Sequence, residues 1–189
     1  MPWLRDVKYS QGECIALIHD YYNFLIKMYA DESAFIWPPP DGWPTITAAS
    51  LRGLGKSNDV IELLRHIPYR RVNTEIQSAP YSTFLDWTWV GKCGVQQGDE
   101  DWKVDAEGIA NYQNVPSTVV GLTEELGVVY GVGCQGELQE DTAREQILDN
   151  PEDYAAEGEV DWRSDGACWS IPDCFEVLKT IIGNFTLFR

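Results

Sequence analysis

The chain reads as an α+β protein in one domain, a mostly antiparallel sheet carrying an N-terminal amphipathic helix, a second short helix and a C-terminal helix. Three observations predict this. Apolar residues recur at helical spacing behind a capping serine at both ends of the chain, β-branched and aromatic runs cluster between them, and a run of three prolines separates the helical beginning from the strand-rich remainder. At 189 residues the chain is long enough to bury one substantial core, and a hydrophobic fraction of 44% with eight tryptophans argues against disorder.

Ser10-Gln11-Gly12-Glu13 has the form of a capping box and opens the first helix. Cys14, Leu17, Ile18, Tyr21, Phe24, Leu25 and Met28 follow in one apolar stripe, with His19, Asp20, Asn23 and Lys27 largely off it and an end near Tyr29. Trp37-Pro38-Pro39-Pro40-Asp41-Gly42-Trp43-Pro44 is then a stiff corner, because three prolines fix φ and forbid a helix before them while Asp-Gly offers a turn. Thr47 to Leu51 is expected to make a helical turn and Gly53 to Gly55 a loop. Asn58 or Ser57 caps a second helix with Val60, Ile61, Leu64 and Ile67 inward and Pro68 as its stop.

Strands are expected over Arg70 to Ile76 and Tyr81 to Val90, the second because Leu85, Trp87 and Trp89 alternate with Asp86 and Thr88. Gly91 to Gly94 reads as a turn, and Val95 to Asn114 as an acidic irregular insertion anchored by Trp102 and Tyr112. Ser117 to Leu122 and Gly127 to Val132 read as a hairpin, with Glu137 and Leu138 as a further short strand. A brief helix at Ala143 to Leu148 falls in an acidic stretch. Ser170 caps the last helix, whose stripe is Phe175, Leu178, Ile181, Ile182 and Phe185, and Gly183-Asn184 offers its stop.

The charge excludes some partners. The net charge is −16, and all of the excess lies after Arg71, since the eight acids before that point are matched by eight bases. Such a surface repels phosphate backbones, so nucleic acid and anionic membranes are not expected partners; on the plain reading the acidity serves solubility, and a basic protein partner is the alternative it allows. Five scattered cysteines with no C-x-x-C pair, no secretory leader pattern and no long apolar run predict a reducing cytoplasmic setting without a disulfide scaffold.

Motifs with chemistry fail one by one. Gly131-Val132-Gly133-Cys134-Gln135-Gly136 matches a dinucleotide fingerprint, but the second strand that the fingerprint requires would fall on Tyr154-Ala155-Ala156-Glu157-Gly158-Glu159, which is not a strand. A calcium loop starting at Asp99 would place Lys103 at a ligand position, Val104 where glycine is needed and Ala110 at the bidentate position. No P-x-x-P motif occurs in the corner. The expectation is therefore no cofactor and no metal. Two histidines remain as acid–base candidates, His19 beside Asp20 and His66 at the end of the second helix, neither with a nucleophile elbow or metal spacing around it.

The motifs His19-Asp20-Tyr21-Tyr22-x-Phe24-Leu25, Pro39-Pro40-x-Gly42-Trp43-Pro44-x-Ile46-Thr47, Leu63-Leu64-Arg65-His66-Ile67-Pro68-Tyr69, Val119-Val120-Gly121-Leu122-Thr123 and Trp169-x-Ile171-Pro172-x-Cys174-Phe175-x-x-Leu178 resemble a group of fungal proteins. More distantly the chain is similar to the SUKH superfamily of bacterial toxin-immunity and fungal cell-wall-regulator proteins. The resemblance implies an α+β protein that acts by binding other proteins. The sequence therefore favours a non-enzymatic binding module that presents Trp37, Trp43, Asp99, Glu100, Asp101 and Trp102 to its partner. The alternative is a small enzyme or accessory protein of fungal metabolism, with a hydrophobic pocket and His66, His19 and Asp20 as its acid–base set.

Overall fold

The computed structural model describes residues 3, 8–54, 56–71, 76–78, 84–96, 147–148, 150–153, 160 and 169–186. Among these, four α-helices and one small antiparallel pair of strands make an α+β fold.

Helix α1 spans Gln11–Met28 and starts as its sequence predicts, with the Ser10 hydroxyl accepting from the Glu13 amide at 3.4 Å. Its buried face is Cys14, Ile18, Tyr21, Tyr22 and Leu25. Tyr22 joins the predicted stripe because it lies four residues beyond Ile18, whereas Met28, expected inside, is exposed. Burial pushes the Cys14 thiol up to about 11, so it stays protonated as a small core hydrophobe.

Asp31 ends the link after α1 by accepting from the Ser33 amide at 2.8 Å, which starts a single 3₁₀ turn at Glu32–Ala34; hydrogen bonding from the Ser33 side chain and then from that amide holds its carboxyl below the usual range. Strand β1 (Phe35–Ile36) pairs antiparallel with β2 (Tyr69–Arg70), Phe35 opposite Arg70 and Ile36 opposite Tyr69. Of the strand expected from Arg70 to Ile76, the ladder covers Arg70; Arg71 still bonds Ala34 O in register through its amide and Ser33 O through its side chain. Residues 72–75 lie outside the described set.

Between the strands, Thr47 to Leu51 forms the expected turn, closed by Leu51 N to Thr47 O at 3.0 Å and held by Ser50, whose hydroxyl donates to Thr45 O at 2.8 Å. The Gly53 to Gly55 loop begins in a second 3₁₀ turn, Arg52–Leu54. Helix α2 spans Asn58–Arg65, capped by Ser57 through the Val60 amide.

Helix α3 spans Trp87–Gln96 and overturns the strand expected over its first four residues. The polar positions that gave the alternation, Asp86 and Thr88, do not face solvent. They are buried as a capping pair, Asp86 Oδ1 accepting from the Thr88 amide at 2.8 Å and its hydroxyl at 2.6 Å. Gly91 and Gly94 are helical, not a turn. A Cβ on Gly91 would sit 2.3 Å from Thr45 O, so the glycine is there to let α3 lie directly on the backbone of the Thr45–Ile46 segment. Val95 and Gln96 end this helix, and the rest of the expected insertion lies outside the described residues, as do the predicted hairpin and the strand at Glu137 and Leu138. Ile147 and Leu148 are not helical; Leu148 makes a parallel bridge to Trp3.

Helix α4 spans Ile171–Thr186, passing over the expected stop at Gly183-Asn184. Ser170 caps it, accepting from the Asp173 amide at 3.2 Å and donating to Asp173 Oδ2 at 2.7 Å. Helix α1 packs against both α4 and α2. Tyr21 stands between Phe84 and Phe175, with ring centroids at 5.8 and 5.1 Å, and Tyr22 meets Phe35 edge-on at 5.0 Å. Among the described residues no helix is long and apolar enough to cross a membrane.

Candidate functional site

The C-terminal turn of α2 draws together both histidines and Trp43, with Trp37 packed on the His19 ring. A helix end leaves its last carbonyls without intrahelical partners, and α2 fills these from three separate segments. His66 N donates to Leu63 O at 3.0 Å, and His66 Nδ1 donates to Glu62 O at 2.9 Å. The Tyr69 hydroxyl donates to Leu64 O at 2.6 Å and the Trp43 amide to Arg65 O at 2.9 Å. His19 Nε2 donates to His66 O at 3.0 Å, and Trp43 Nε1 to Ile67 O at 2.9 Å. Six consecutive carbonyls are thereby satisfied in a collar.

The proline corner is what delivers Trp43. Gly42 N bonds Pro39 O at 2.8 Å, closing a turn, and Gly42 takes φ of 75°, a conformation glycine adopts without strain. The turn docks flat on α2, since a Cβ on Gly42 would lie 3.0 Å from Arg65 O and 3.1 Å from His66 Cε1. Arg65 locks the other side, donating to Asp41 O at 2.7 Å and reaching Glu62 Oε2 at 3.3 Å. This turn breaks the extended polyproline run that a proline-reading module would require.

Chemically, the collar fixes the histidines. A carbonyl can only accept, so the nitrogen that faces it carries the proton in each ring, leaving Nδ1 of His19 and Nε2 of His66 as acceptors when the rings are neutral. The His19 ring packs on Trp37 at 5.3 Å between centroids, and His66 Nδ1 lies 3.4 Å from Glu62 Oε1 on its own helix. Asp20 does not join them. One residue along a helix points about 100° away, and its carboxylate goes instead to Lys179 on α4 at 2.5 Å. Lys179 also bonds Glu176 at 2.7 Å and is only 16% exposed. Desolvation works to lower its pKa, but the bonds to Asp20 and Glu176 and their charges outweigh it, and the net shift is upward.

Comparison with family models, curated proteins and solved structures gives no match.

Trp37 and Trp43 are half-buried and pack against the hydrophobic core, while Pro39, Pro40, Asp41 and Pro44 beside them are exposed. Asp99, Glu100, Asp101 and Trp102 lie outside the described residues. Among the described residues no group of three or more histidine, cysteine or acidic side chains is placed to hold a metal ion. Tyr69, Arg65 and Gly42 are members of the collar that the sequence reading missed. Gly42, directly after Asp41 in a turn, carried a signal; an arginine closing the helix and a tyrosine opening the next strand carried none.

Proposed function

We propose that the chain is a non-enzymatic protein-binding module of the reducing cytoplasm, with an acidic surface that receives a basic protein partner. The observation carrying this reading is the collar. The nominated acid–base residues His19 and His66 are engaged in capping α2, and Asp20 is engaged by Lys179, so each has a structural role. The acidity after Arg71 supports the other half, because a net charge of −16 concentrated there attracts positive surfaces and raises association rates at low salt.

The test replaces Asp99, Glu100 and Asp101 together with lysine and measures association with a basic partner recovered on the immobilised chain at low salt. Slower association with a flatter salt dependence is the expected result, and unchanged kinetics removes that site. His66→Gln discriminates the enzyme alternative. It should lower stability and leave partner association intact, whereas a substrate whose turnover vanishes in a folded His66→Gln protein would overturn the binding reading.

A further inference from the structure

Asp41-Gly42 is one of two Asp-Gly pairs in the chain, the other being Asp165-Gly166. Such pairs isomerise because glycine has no side chain to hinder attack of its backbone nitrogen on the aspartate carboxyl. Asp41 is exposed, so nothing around its side chain bars the reaction. The backbone does bar it. Gly42 N–H is held by Pro39 O at 2.8 Å, the Asp41 carbonyl is held by Arg65 at 2.7 Å, and even one carbon added at Gly42 would lie 3.0–3.1 Å from atoms of Arg65 and His66. Ring closure must break the first bond and move the glycine.

We propose that Asp41 is a site of spontaneous isoaspartate formation gated by the corner: protected while the turn is docked on α2, reactive once it lifts. The chemistry balances without any co-reactant but water. Gly42 N bonds Asp41 Cγ, the Cγ–OH bond breaks, and the hydroxyl leaves as water with the amide proton. Water then adds to the former main-chain carbonyl carbon of the succinimide and breaks its bond to nitrogen, so that the chain runs on through Cβ and Cγ. The product has one more backbone carbon between Asp41 and Gly42. That carbon has no room where Gly42 meets Arg65 and His66, so the modified corner does not redock and Trp43 loses its place in the collar. The reaction therefore records opening irreversibly.

The test incubates the full chain at neutral pH, folded and in guanidinium chloride, and follows isoaspartate at Asp41 by peptide mapping with fragmentation that separates the two isomers. Isomerisation at Asp41 should be at least about tenfold slower in the folded protein, the protection given by even a modest local opening equilibrium. Trp43→Phe, folded by circular dichroism, should move the native rate toward the unfolded one. Equal rates in folded and unfolded protein, no isoaspartate at Asp41 in the unfolded chain, or an unchanged rate in folded Trp43→Phe would each overturn the proposal.

Discussion

Gly91→Ala has a sign that depends on how α3 packs. In an isolated helix, replacing glycine with alanine stabilises by about 0.5–1 kcal/mol, through reduced backbone entropy in the unfolded chain. Here the new methyl would sit 2.3 Å from Thr45 O and 2.9 Å from Thr45 C. An ordinary carbon–oxygen contact is about 3.3 Å, so helix and segment must separate by roughly 1 Å. Neither side yields easily. Thr45 O is fixed by the Ser50 hydroxyl, and Trp87 and Val90 on α3 are fully buried. Overpacking costs about 1–3 kcal/mol, toward the upper end where the obstacle is backbone, and the net is a destabilisation of about 2 kcal/mol. For a chain of this size that lowers Tm by roughly 4–8 °C. Urea melts give the sign, and an unchanged m-value would confirm that stability alone moved. Gly183→Ala on α4 is the control, since a Cβ there meets no atom within 4 Å, and it should stabilise by about 0.5–1 kcal/mol. A Gly91→Ala protein as stable as the parent, or more so, would refute the packing argument.

Gly42→Ala should destabilise by about 1–3 kcal/mol in the same melts, since it forces an L side chain to φ of 75° and presses on Arg65 and His66. Trp43→Phe should cost about 1–3 kcal/mol, mostly for leaving Ile67 O without its indole donor, with a blue- or red-shifted tryptophan emission reporting the lost ring. Burial holds the hydroxyls of Tyr21, Tyr22 and Tyr69 above the ordinary value of 10.0. Above pH 10 the unfolded chain therefore binds fewer protons than the folded one, so stability is full below that pH and falls as pH rises through the folded values. Tyrosinate absorbance for these residues should appear together with loss of the circular dichroism signal; ionisation near 10 with the fold intact would contradict it.

Helices α1, α2 and α4 were legible because each carries a serine cap directly before an apolar stripe, and cap and stripe agree. Helix α3 was not. Asp86 and Thr88 look like the solvent side of a strand, yet Asp86 caps the helix start by accepting from Thr88, and Gly91 looks like a turn although its missing side chain serves close packing. The end of α4 was misplaced because Gly183 and Asn184 resemble a stop that the backbone continues through. The collar was illegible for a different reason. Its acceptors are backbone carbonyls, which every residue has, and two of its side-chain donors come from 24 and 47 residues upstream. Side-chain type announced that His19, His66 and Trp43 mattered, but not that they were spent on a helix end.

At eight residues, α2 is too short to persist alone in water, and its serine cap secures only one end. The other end waits on His19 and Trp43, which precede it in the chain, and on His66 and Tyr69, which follow it. As the polypeptide leaves the ribosome, the two upstream donors emerge before α2 and the two downstream ones just after it, so the collar can close only once Tyr69 is outside the tunnel. A circular permutant that released α2 before α1 would make that helix wait for His19 and Trp43 as well.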